Sequence, residues 1–155
     1  MDDLKAATGK LDWYAHRFKI ETYHKVLKSG CRAEQSKLRT ADRLTNLLAV
    51  LCVVAWRVFW LTMTSRATPE APAEVALTEA EVAILDRLAG DAGVPASPTV
   101  SHYLVAVAKL GGYLARTKDP PPGNMVIWRG LIRLMDIQIG FELSNRVVGN
   151  RKELA

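Results

Sequence analysis

Apolar residues recur along this chain at steps of three and four, the spacing of an α-helix, and no stretch alternates for long enough to predict a strand. Five helical blocks follow. The first runs from Leu11 to Ser29 and is stopped by Gly30; the second runs from Thr40 to Thr64. A stretch rich in Pro, Ala and Glu, Ser65 to Ala76, reads as a linker or long loop. Thr78 and Glu81 then form a capping box that starts the third helix, which extends to Leu88 with Gly90 and Gly93 past its end. Thr99 caps a fourth helix through about Arg116; Gly111-Gly112 inside it either admits another backbone or weakens the helix. Pro120-Pro121-Pro122-Gly123 is a stiff loop, and the fifth helix spans about Val126 to Val147.

The second block raises the question of a membrane. Leu47 to Trp56 carries no charge, and the run resumes after Arg57 through Met63. A spanning helix needs about 20 apolar residues, and an arginine near its centre costs about 2.5–3.5 kcal/mol to insert. A helix buried on all sides within a substantial domain accounts for the run better, and no membrane partner is expected.

The chain has 155 residues, 49% apolar and 24% charged, which excludes a disordered tail, a collagen-like fibre and a disulfide scaffold. Its two cysteines, Cys31 and Cys52, lack the spacing of a zinc site and suit a reducing compartment. Asp2 and Asp3 directly after Met1 do not make a signal peptide.

Charge changes the picture more. Of the net +5, Met1 to Arg66 holds 12 basic against 6 acidic residues, and Ala67 to Ala155 holds 9 against 10. Between Arg17 and Arg43 there are 8 basic and 3 acidic residues. That density is either an electrostatic footprint for phosphates or a solvated, Lys-rich helix face.

The first helix carries the candidate chemistry. At about 100° per residue, Arg17, Glu21 and Lys28 fall near −60°, −20° and −40° from Tyr14, so the four share one ridge. Trp13, Ile20 and Leu27 form an adjoining apolar stripe that could pack and hold the ridge rigid. One reading is a surface lattice, since Arg17 and Glu21 at i,i+4 make a common helix pair worth a few tenths of a kcal/mol. The other is a metal-binding carboxylate beside phosphate-binding cations. A lone carboxylate holds Mg²⁺ poorly, so further ligands would have to come from elsewhere.

The spacing Tyr14-x2-Arg17-x3-Glu21-x6-Lys28 resembles the YREK signature of the insertion-sequence-four family of transposases, the group that includes the transposon-five enzyme. Three later blocks, around Val53 to Arg57, Ala108 to Leu114 and Val126 to Leu131, also resemble that family's carboxy-terminal region, so the similarity covers nearly the whole chain.

The resemblance implies a mainly α chain: the helical end of a ribonuclease H-like catalytic core over residues 1–66, followed by an all-α dimerisation domain over 67–155. It implies that Glu21 is the last acid of a DDE triad, catalytic and a ligand of Mg²⁺ (or Mn²⁺). Tyr14, Arg17 and Lys28 would grip phosphates of transposon-end DNA, with Lys25, Lys37 and Arg39 as weaker, sequence-independent contacts. His16 and His24 are expected to pack or hydrogen-bond rather than ligate. The triad's two aspartates should lie far upstream on strands, yet only 13 residues precede Tyr14, and Asp2, Asp3 and Asp12 cannot replace them. The chain is therefore expected to be a transposase fragment, inactive alone, in a bacterial cytoplasm near the nucleoid. Its metal would require the aspartates of a full-length enzyme. Its partners would be transposon-end DNA and a second copy or the full-length protein. An alternative is a truncated partner that pairs with the intact transposase and inhibits it; without the resemblance, a small helical binding or membrane protein remains. Trp128, Leu131, Leu134, Met135, Ile139 and Phe141 of the fifth helix suit either a dimer surface or an internal core.

Overall fold

The structure, a computed structural model, describes residues 2–31, 33–90, 95 and 97–152. Five α-helices account for most of them: α1 Asp2–Lys25, α2 Ala41–Ala67, α3 Glu79–Ala89, α4 Val100–Leu110 and α5 Asn124–Lys152. No strand occurs among the described residues; one isolated bridge pairs Pro72 with Thr99. The chain forms two units, Met1–Phe59 and Trp60–Ala155, and the division falls within α2.

In the first unit α1 begins at Asp2, well before the expected Leu11. Leu4, Ala6, Ala7 and Lys10 favour a helix, and Gly9 weakens it by only about 1 kcal/mol. After Lys25 the helix widens into a π turn, Val26–Gly30, closed by Cys31 N–H donating to Val26 O at 3.1 Å. This wider turn is where α1 meets α2. Val26 and Gly30 are buried there, the Tyr23 hydroxyl donates to Cys52 O at 3.2 Å, and the Tyr23 ring stands edge-on to Phe59. The cost of withdrawing Tyr23 from water, with the neighbouring Cys52 second, pushes its pKa up to about 12.

The expected all-round burial of α2 does not hold. The helix is long and apolar enough to cross a membrane by length and composition, yet only 39% of its most apolar 18-residue stretch is buried. Ala55, Val58 and Phe59 are buried, while Ala49, Val50, Val53 and Trp56 lie exposed. The exposed positions recur at i, i+1, i+4 and i+7, so they share one face of the helix.

In the second unit the Pro-rich stretch is an ordered strap. Trp60 Nε1–H donates to Val75 O at 2.8 Å, and the carbonyls of Ala71 and Pro69 accept from Val100 N–H and Ser101 N–H at 2.8 and 3.3 Å. A helix leaves its first four N–H groups without intrahelical partners. For α4 the strap satisfies two of them, and the Thr99 hydroxyl accepts from a third, His102 N–H. The capping box of α3 forms as expected: Thr78 Oγ1 accepts from Glu81 N–H, and Glu81 Oε2 accepts from Thr78 N–H. Gly93, expected beyond this helix, lies outside the described residues.

Tyr103, almost fully buried, donates its hydroxyl to Asp86 Oδ1 at 2.8 Å and ties α4 to α3. Burial and that carboxylate push its pKa up to about 12. Arg87 of α3 lies 4.9 Å over the Phe141 ring of α5. Val107, Ile127, Leu131 and Leu134 fill the α4–α5 core, and Ile139 and Leu143 stay exposed.

The helix α4 ends at Leu110 rather than Arg116, and the glycine pair explains why. A Cβ on Gly111 would lie 1.8 Å from Val126 O, and one on Gly130 would lie 1.9 Å from Val107 O. The backbones of α4 and α5 touch through these two glycines. Gly112 then turns at φ 97°, a region glycine adopts freely, and the helix cannot continue.

Candidate nucleic-acid interface

The first unit supplies the candidate residues. Tyr14, Arg17 and Glu21 sit on α1, Lys25 is its last residue, and Lys28 lies in the π turn. Lys37 and Arg39 lie in the irregular stretch between a 3-10 turn, Ala33–Gln35, and α2. All seven are exposed.

Their mutual geometry differs from a single ridge. Arg17 Nε and Glu21 Oε1 are 3.3 Å apart, the i,i+4 pair that the spacing allows. Lys28 Nζ instead engages Glu34 Oε1 at 3.0 Å. The 100° step holds only to Lys25, because beyond it the turn widens and the chain then bends back through Ala33–Gln35. Glu34 was not foreseen: a pair across a helix end depends on the turn that follows it. Both pairs are exposed, so each contributes about 0.2–1 kcal/mol and gives way readily to a phosphate.

The apolar stripe expected to hold this ridge is not packed. Trp13 is 81% and Ile20 58% exposed, and only Leu27, beside the π turn, is half-buried. Periodicity created the stripe, but within this unit α2 covers α1 only near Tyr23 and beyond. Exposed Leu4, Leu11 and Phe18 form a second stripe on α1, seven residues apart. His16 Nδ1 hydrogen-bonds Asp12 O at 2.8 Å, and His24 meets the Tyr23 ring edge-on.

The residues do not suffice for a divalent cation. Glu21 already pairs with Arg17, and among the described residues no three His, Cys, Asp or Glu side chains converge. Mg²⁺ needs several oxygens in near-octahedral array, so no reaction step through a metal can be built from this chain's own groups. What the arrangement can do is bind phosphate oxygens. Arg17 offers a planar fork, Lys25, Lys28 and Lys37 offer point charges, and Tyr14 offers a hydroxyl donor. Burial, with Cys52 second, pushes the pKa of the nearby Cys31 thiol up to about 11, which disfavours its thiolate. The chain matches no known protein-family model.

Proposed function

We propose that the chain is the DNA-binding, dimerising part of a DDE transposase resembling the insertion-sequence-four type, which holds transposon-end DNA and does not cut it alone. The observation that carries the reading is the Tyr14-x2-Arg17-x3-Glu21-x6-Lys28 series, exposed on α1 and the turn that extends it, with Arg17, Glu21 and Lys28 inside the basic segment Arg17 to Arg43. Glu21 would join a metal site only alongside two aspartates from a full-length enzyme. The second unit would pair with another copy or with that enzyme, in a bacterial cytoplasm at the nucleoid.

Fluorescence anisotropy with a labelled duplex, at several salt concentrations, tests the reading. Each phosphate contact contributes about 0.9 to the slope of log K against log[salt]. Arg17→Ala and Lys28→Ala should each reduce that slope by about one contact. A nicking assay with the purified chain and Mg²⁺ should show no cleavage. Unchanged slopes in both variants, or cleavage abolished by Glu21→Ala, would each refute the reading.

A second reading is an inhibitory partner of the intact transposase. The apolar faces left open on α1 (Leu4, Leu11, Phe18) and α2 (Val50, Val53) favour it, because such surfaces normally seek a protein partner. Adding the chain to intact transposase should then lower synapsis of transposon ends.

A further inference from the structure

The near-neutral charge of the carboxy-terminal part conceals a separation. Residues 67–90 hold Glu70, Glu74, Glu79, Glu81 and Asp86 against Arg87 alone. Residues 109–136 hold Lys109, Arg116, Lys118, Arg129 and Arg133 against Asp119 and Asp136, the latter on the same flank of α5 as Arg129 and Arg133. Of these two acids Asp119 is occupied: its Oδ2 accepts from the backbone N–H of Arg116 at 2.9 Å.

The fold gathers most of this charge. Residues 112–123 form a loop whose two ends meet, because Gly111 lies against Val126. Compact surface loops of this kind, with close ends and internal ties, often carry function. Three features fix its shape: the Tyr113 hydroxyl donates to Pro120 O at 2.8 Å, Asp119 holds the Arg116 N–H, and Ala115 takes a left-handed φ of 52°. A non-glycine residue at that φ is an uncommon strain that the surrounding structure must over-determine. Arg116 and Lys118 are exposed on this loop. Where it closes, Arg129 and Arg133 stand one turn apart on the same flank of α5, and Arg133 Nη1 donates to Leu110 O at 2.6 Å. Among the described residues, Arg116, Lys118 and Arg129 make no ion pair with an acid.

We propose that this loop and the adjoining flank of α5 are a second phosphate-binding surface, which takes the sugar-phosphate backbone of duplex DNA without reading its sequence. A held loop presents its cations at little entropic cost, and an arginine anchored at the loop's mouth sets the register of the others. The choice of DNA as the polyanion rests on the function proposed above; the surface itself rests on the second unit alone.

The test compares the full chain with Arg116→Ala/Lys118→Ala/Arg129→Ala and with Arg17→Ala/Lys28→Ala, using anisotropy on a labelled 40-base-pair duplex of about that length across a salt series. Arg133 is left in place because it satisfies a helix carbonyl. The three substituted residues are exposed, so circular dichroism should show an unchanged fold. The triple variant should lower the salt slope by about 2.7, three contacts at about 0.9 each, equally on unrelated sequences. A slope equal to that of the unchanged chain would overturn the second surface. So would a loss confined to anionic phospholipid vesicles or single-stranded RNA. If the triple variant loses slope while Arg17→Ala/Lys28→Ala does not, the second surface stands and the role of the first unit falls. If the unchanged chain binds no duplex, both fall.

Discussion

Gly130→Ala isolates the contact on which the second unit depends. In an ordinary helix the change would stabilise, since alanine is favoured over glycine by about 1 kcal/mol. Here the new Cβ would sit 1.9 Å from Val107 O and 2.7 Å from Val107 C, both backbone atoms that cannot rotate away. An ordinary carbon–oxygen contact needs more than 3 Å, so α4 and α5 must part by roughly 1 Å or more. That movement strains the Arg133 bond to Leu110 O and opens the packing of Val107, Ile127, Leu131 and Leu134, all now buried. Overpacking of this kind costs about 1–3 kcal/mol and occasionally more; with a rigid backbone as the obstacle, a net loss of about 3 kcal/mol is expected after the helix-propensity gain. Gly140→Ala on the same helix is the control, because its Cβ meets nothing within 4 Å. It should raise stability by about 0.5–1 kcal/mol. Urea unfolding followed by far-ultraviolet circular dichroism reads both. If Gly130→Ala proves as stable as Gly140→Ala, the two backbones do not touch and the account of this crossing is wrong.

Three further outcomes follow from named contacts. Glu21→Gln frees the Arg17 guanidinium, so it should change stability by less than about 0.5 kcal/mol and strengthen duplex binding in anisotropy; weaker binding would count against Arg17 as a phosphate contact. Thr78→Ala removes one arm of the capping box and should cost about 1 kcal/mol in urea unfolding, with Thr78→Ser restoring most of it. Stability should fall as pH rises from about 10 to about 12: the Tyr23 and Tyr103 phenols ionise near 10 when unfolded and near 12 when folded, so their contribution is complete below 10 and lost through 12. Tyr103→Phe should flatten that decline, as measured by thermal unfolding across the range.

The parts of this fold that the sequence announced are those decided within one helical turn. Thr78 with Glu81 and Thr99 with His102 are local hydrogen bonds, so residue type and spacing were enough to place the starts of α3 and α4. Arg17 with Glu21 is likewise an i,i+4 pair. Gly111-Gly112 signalled close approach or a break, and the chain uses one glycine for each. What could not be read depends on partners distant along the chain. Lys28 meets Glu34 because of a bend after a π turn, and the exposure of Trp13 and Ile20 reflects how little of α1 is reached by α2 within their unit. A periodic stripe states that a helix has an apolar side; it does not state that the same chain supplies the cover. The same holds for Ala49, Val50, Val53 and Trp56 on α2, where the expected burial failed.

The carbonyls of Pro69 and Ala71 give their segment a role that its composition hides. Although rich in the residues of a tether, it serves as the lid on the first turn of a helix about thirty positions downstream. An epitope tag or a protease site inserted between Thr68 and Ala73 would therefore not be tolerated as spacers usually are. It would leave Val100 and Ser101 N–H groups bare and fray α4 from its start, so fusion designs should spare this seemingly expendable stretch.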